Sequence, residues 1–135
     1  MPLVDDASIP DEAVLLRALL PNWIHEQDGI RRISKQAFLD GQTGEASCFI
    51  DGAGVQAEVR RIFPGKEIGA VTARVVRESG FVIARRPNEA DPFAMDANAH
   101  VVIGTAQQLR RIEYERCAKR IAIHAETRIL LEENA

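Results

Sequence analysis

Two runs of β-branched and aliphatic residues, AVTARVV and FVIAR, flank the turn-forming sequence RESG between residues 70 and 86. In that turn Gly80 can adopt a positive φ without steric cost. Such a pattern is typical of a β-hairpin, and we predict one over residues 70–86. Because hairpin strands pair antiparallel, the chain cannot consist only of parallel βαβ units.

Other short segments predict strands and a helix in irregular order. EASCFID, residues 45–51, predicts a strand with Cys48 on one face and Phe49 on the other. AHVVIG, residues 99–104, predicts a second buried strand. VQAEVRRIF, residues 55–63, has apolar residues at helical spacing and predicts a helix of two to three turns.

Residues 12–20 are compatible with either a helix or a strand. The run AVLLRALL is rich in alanine and leucine, which favour helix. It is also short enough to be a buried strand, and periodicity does not decide at this length.

The C-terminal part of the chain predicts one long helix from Thr105, with Thr105 as N-cap and a break near His124. Its expected buried stripe comprises Leu109, Ile112, Cys117, Ile121, Ala125 and Ile129. Past His124 the apolar residues are too many for one narrow stripe. We therefore expect this end of the helix to contact a protein partner or a second copy of the chain.

These elements predict an α+β fold: a mixed or antiparallel sheet that contains the hairpin near 70–86 and is covered by the long C-terminal helix. The chain has 135 residues, a common size for one domain. We expect a single domain over residues 1–135, with residues 1–10 as a loosely ordered lead-in.

Composition restricts the classes of partner. The net charge of −3 gives no global attraction to nucleic acid or anionic membranes, and aromatic residues make up only 5%. The longest apolar runs are shorter than a membrane span, and the N-terminus is acidic where a signal peptide is basic. We therefore expect a cytoplasmic protein without membrane association, in which Cys48 and Cys117 are reduced, buried thiols.

The polar residues best placed for chemistry are few. His100 begins an apolar strand, where a buried imidazole needs hydrogen-bond partners. His25 lies in a polar segment beside Trp23, and we expect it in a mobile loop. Ser34 is suited to cap a helical turn that carries Ala37 and Phe38 inward. No metal-ligand cluster, nucleotide-binding loop or activated nucleophile is recognisable, so no cofactor or metal is expected.

Read in order, the segments from Val14 to Ile112 resemble a group of small uncharacterised bacterial proteins. In the proteins of that group, an early arginine, an S-x-x-A-F motif and an A-H-x-x-x-G strand recur in this order along the chain. The matching positions here are Arg17, Ser34, Phe38 and His100. The resemblance implies a layout and no assigned activity.

An arginine on an early apolar run, a later serine and a mixed sheet are also loosely similar to ADP-ribosyltransferase-like folds. The Ser-Thr-Ser strand and the catalytic glutamate of those folds cannot be placed in this sequence.

Three functional hypotheses follow. The leading one is a small accessory or regulatory protein that acts by protein–protein interaction. The second is a small enzyme whose pocket gathers Arg17, Ser34 and His100, with His25. The third is nucleic-acid binding, if folding gathers on one face several of the basic doublets Arg31-Arg32, Arg60-Arg61, Arg85-Arg86, Arg110-Arg111 and Lys119-Arg120.

Overall fold

The computed structural model describes residues 3–39, 45–86 and 99–128. The strands in this part are β1 (Val14–Leu19), β2 (Ile24–Gln27), β3 (Ile30–Ile33), β4 (Ala46–Ile50), β5 (Glu67–Thr72), β6 (Val82–Arg85), β7 (His100–Gly104) and β8 (Glu126–Arg128). The α-helices are α1 (Val55–Ile62), α2 (Ala73–Glu78) and α3 (Arg111–His124), and two short 3₁₀ helices span Pro21–Trp23 and Lys35–Phe38.

Six strands form an antiparallel sheet in the order β6-β7-β4-β1-β5-β8, and β2 pairs with β3 in a separate two-stranded sheet. The α+β class, the antiparallel sheet and the C-terminal helix are confirmed. The segment 12–20, which was compatible with either a helix or a strand, contains the strand β1. This strand lies in the interior of the sheet between β4 and β5.

Helices cover both faces of the sheet. On one face, Leu15, Leu19 and Cys48 pack with residues of α2, α3 and the Lys35–Phe38 helix in the larger hydrophobic core. On the other face, Leu16 and Phe49 pack in a smaller core that includes residues of α1. Adjacent residues of one strand thus belong to different cores, as the alternation of side chains along a strand requires. The predicted facing of Cys48 and Phe49 is confirmed.

The hairpin predicted over residues 70–86 is wrong. β5 ends at Thr72, whose side-chain oxygen accepts a hydrogen bond from the Val75 N–H and caps α2. Three strands of the sheet separate β5 from β6. Val76 lies in α2 and is fully buried. The β-branched residues that favoured a strand therefore pack into the core equally well when they lie on a short helix.

A hairpin does occur, between β2 and β3. Its two-residue turn consists of Asp28 with φ 54° and Gly29 with φ 79°. Positive φ at both central residues characterises the type I′ turn, which matches the twist of the paired strands and is favoured by Asp-Gly. His25, expected in a mobile loop, lies instead in strand β2 and is exposed.

The C-terminal helix begins later than predicted. α3 starts at Arg111, and the Glu113 carboxylate accepts a hydrogen bond from the Arg110 N–H at 3.2 Å, so Thr105 is not its N-cap. The helix ends at His124, as predicted. Ile112, expected in the buried stripe, is 53% exposed, whereas Ile121 is fully buried.

The segment after α3 belongs partly to the sheet. β8 pairs with β5, with Ala70 opposite Glu126 and Ile68 opposite Arg128. The helix predicted to extend past His124 is therefore wrong over Glu126–Arg128, which form a strand. Ile129, predicted to extend the stripe, lies outside the described residues.

The lead-in is packed against the domain, contrary to expectation. Leu3 and Ile9 are buried. Arg77 of α2 donates hydrogen bonds to the carboxylates of Asp5 at 3.1 Å and Asp11 at 2.8 Å, and to the carbonyl of Asp6 at 3.0 Å. One guanidinium therefore fixes three points of the N-terminal segment, because its fork of N–H donors suits several acceptors at once.

We predict that Arg77→Ala lowers the free energy of unfolding by about 1–3 kcal/mol, because three charge-assisted hydrogen bonds are lost together. Arg74→Ala is the matched control, since Arg74 lies on the same helix and its nearest carboxylate oxygens are 3.9 and 4.0 Å away. Urea denaturation of both variants measures the difference. Equal stability of the two would show that Arg77 does not hold the lead-in.

Candidate binding groove

The side chain of Arg17 makes contacts that connect several elements of the fold. It lies on β1 on the face of the larger core, where its Nε donates to the Ala37 carbonyl at 2.7 Å and its Nη1 to the Ser47 carbonyl at 2.8 Å. Its guanidinium lies 5.3 Å from the centre of the Trp23 ring, within the range of a cation–π contact. These partners join β1 to β4 and to both 3₁₀ helices.

Ser34 performs the capping role predicted from its sequence. Its side-chain oxygen accepts a hydrogen bond from the Gln36 N–H at 3.1 Å. The helix that it caps buries Ala37 and Phe38 completely. Arg17 bonds to this same helix, so the serine and the arginine lie on the same side of the sheet.

His100 lies on the opposite side. It is 1% exposed, and its ring centre lies 5.4 Å from that of Phe49 in the smaller core. Its Nδ1 is 2.8 Å from the Arg86 carbonyl oxygen and must donate to it, while the buried Nε2 has no hydrogen-bond partner among the described residues. The sheet therefore separates His100 from Arg17 and Ser34, and the three side chains do not converge on one pocket.

The two cysteines do not form a nucleophilic site. Both are free thiols. Burial raises the pKa of Cys48 to about 11, against the opposing influence of the Arg17 charge. Burial also raises the pKa of Cys117. Both thiols therefore stay protonated near neutral pH, and the thiolate is the reactive form.

His25, the fourth candidate, lies in a groove between the β2–β3 hairpin and the C-terminal half of α3. The cavity has a volume of about 590 Å³. Among the described residues, the cationic or titratable side chains that line it are those of His25, Arg31, Arg32, Lys35 and Lys119, and none of its described lining residues is a carboxylate. This is a local basic surface on a chain of net charge −3.

Each wall of the groove combines an exposed isoleucine with a cation. On the hairpin, His25 is directly opposite Arg32, so the two share a face, and Ile30 lies on that face two residues before Arg32. On α3, Lys119 and Ile123 are one turn apart and share a helix face. Ile30 is 53% exposed and Ile123 67% exposed.

Two of the cations are already neutralised. Arg31 forms an ion pair with Glu67, and Lys35 forms one with Glu115 at 2.9 Å. Hydrogen bonds from Lys35 and Arg111 hold the pKa of Glu115 below its ordinary value, so this carboxylate stays charged near neutral pH.

The other two strong cations of the groove are unneutralised. Within the described part of the chain, neither Arg32 nor Lys119 forms an ion pair. Two permanent positive charges therefore remain available to a ligand.

Comparison with known proteins found no matching family model, no matching curated protein and no matching solved structure. Among residues 3–39, 45–86 and 99–128, no cluster of three histidine, cysteine or acidic side chains is suited to a metal ion. None of the helices in these ranges combines the length and apolar character needed to cross a membrane.

Only part of the groove could be predicted from the sequence. Doublets 31–32 and 119–120 were recognised as basic, but their approach depends on the packing of the hairpin against α3. Arg120 points elsewhere and donates to the Ser79 carbonyl. The overlooked signal is Ile123, an apolar residue one turn after Lys119 and outside the buried stripe.

We predict that His100→Ala lowers the free energy of unfolding by about 1–3 kcal/mol, because it removes ring contacts and leaves the Arg86 carbonyl without its donor. His100→Phe keeps an aromatic ring against Phe49 and removes the unpartnered Nε2, so it should cost less. Thermal and urea denaturation compare the two. An unchanged stability in the alanine variant would contradict the core role of this histidine.

Proposed function

We propose that the chain is a non-catalytic accessory or regulatory protein that binds a segment of another protein in the groove between the β2–β3 hairpin and α3. The observation that carries this proposal is the composition of the groove walls. An exposed isoleucine and an unneutralised cation stand on each wall, and the described residues that line the groove include no carboxylate. Exposed apolar side chains surrounded by polar ones are typical of protein-binding surfaces.

The placement of the candidate catalytic residues supports a binding role over an enzyme. An enzyme with a pocket of Arg17, Ser34 and His100 requires these groups to meet within reach of one substrate. Arg17 and Ser34 instead bond to the backbone on one side of the sheet, and His100 is buried on the other.

The groove also gives the C-terminal helix a specific part in the interaction. Lys119 and Ile123 present the exposed face of α3, while Cys117 and Ile121 are buried against the sheet. We propose that this face contacts the partner, which can be a different protein or a second copy. The free, buried cysteines are consistent with action in the cytoplasm, where thiols stay reduced.

The test is affinity capture from the native cell with the double variant Arg32→Glu/Lys119→Glu. We expect a set of proteins retained by the wild type to be lost, because two attractive charges become repulsive. The control is Arg74→Glu/Arg110→Glu, which changes the net charge equally at two exposed positions outside the groove.

Light scattering on the same proteins reports self-association. If the groove variant retains the same partners and the same oligomeric state as the control, the groove is not the interaction site.

A further inference from the structure

We infer that the groove takes an acidic peptide segment that also carries aliphatic side chains, an inference that rests on the proposed function. The occupant is thus a stretch of a partner protein in which carboxylates face Arg32 and Lys119 and aliphatic side chains cover Ile30 and Ile123. The cations alone or the isoleucines alone do not specify this ligand, because each wall of the groove presents both a cation and an isoleucine.

Charge complementarity sets the first requirement. The two unneutralised cations stand on opposite walls, one on β3 and one on α3. The acids that neutralise the other cations, Glu67 and Glu115, do not line the groove. A bound carboxylate therefore meets two unopposed positive charges and no negative charge from the described residues of the lining.

The exposed isoleucines set the second requirement. Ile30 and Ile123 lose contact with water when an aliphatic side chain packs on them, which is favourable in proportion to the apolar area buried. Ile33 and Ala122 continue the apolar surface from these side chains toward the core. An acidic segment without aliphatic residues would leave both isoleucines in water.

The lining favours a peptide over a nucleic acid. Single-stranded nucleic acids are held by aromatic side chains on which bases stack, in addition to cations. None of the described residues that line the groove is Phe, Tyr or Trp. An isoleucine beside a cation on each wall suits a ligand that carries both charged and apolar groups.

The test measures fluorescence anisotropy with three labelled probes of matched formal charge, of which the two peptides also have equal length. The first peptide contains glutamate and leucine, the second glutamate and serine, and the third probe is single-stranded oligouridine. We expect the glutamate–leucine peptide to bind at least about tenfold more tightly than the other two, a difference of about 1.4 kcal/mol. Its affinity should fall as salt is raised, because salt screens the charge contacts.

Two sets of variants locate the site. Arg32→Glu/Lys119→Glu should weaken binding of the glutamate–leucine peptide by about tenfold or more, while Arg74→Glu/Arg110→Glu should not. Ile123→Ser should weaken the leucine-containing peptide specifically. Ile112→Ser is its matched control, because Ile112 is also an exposed isoleucine of α3 but lies outside the groove. Both serine substitutions fall at exposed positions, so folding is preserved.

The outcomes separate this inference from the proposed function. Absence of binding by the glutamate–leucine peptide, equal binding of the glutamate–serine peptide, or tighter binding of oligouridine would overturn the inferred occupant. If groove-dependent capture from the cell persists alongside any of these results, the binding module stands and only the class of its ligand is wrong. Loss of groove dependence in the cell would overturn both.

Discussion

The guanidinium of Arg17 links the interior of the sheet to the segment that forms the groove. From β1 it donates to the backbone of the Lys35–Phe38 helix and of β4, and it lies against Trp23 at the start of the hairpin. That helix in turn packs against α3. The connection between β1 and β4 is thus anchored at both of its 3₁₀ helices, and the hairpin between them is held beside α3. The Arg31–Glu67 and Lys35–Glu115 ion pairs hold the same segment, so Arg17 acts together with them to fix this wall of the groove.

Local sequence was sufficient to predict a structural feature where its pattern of side chains corresponds to a single environment. The strand with Cys48 and Phe49 on opposite faces could be predicted because both faces of the sheet are covered by helices, which makes each position apolar. The Ser34 cap could be predicted because its hydrogen bond involves only a residue two positions away. The apolar pattern extended the C-terminal helix to Ile129, and only the length of the run indicated a break near His124, where α3 ends.

Tertiary context decided the rest. Residues 73–78 contain valines that suit a strand, but Thr72 caps a helix there and Val76 fills the core from it. The true hairpin has exposed, charged strands and little apolar alternation, so its local signal is the Asp-Gly turn, and no hairpin was predicted there. The groove depends on two segments about 90 residues apart that meet only in the fold. Basic doublets alone could not indicate which of them would lie together.

The central claim is that ligand binding takes place between the hairpin and α3, and not at Arg17, Ser34 or His100. Backbone amide NMR shifts recorded during titration with the glutamate–leucine peptide test it most directly. The account predicts saturable shifts at Ile30–Ile33 and at Lys119–Ala125, with little change at His100 and the β7 strand around it. Shifts centred on His100, or spread over the surface without saturation, would contradict it.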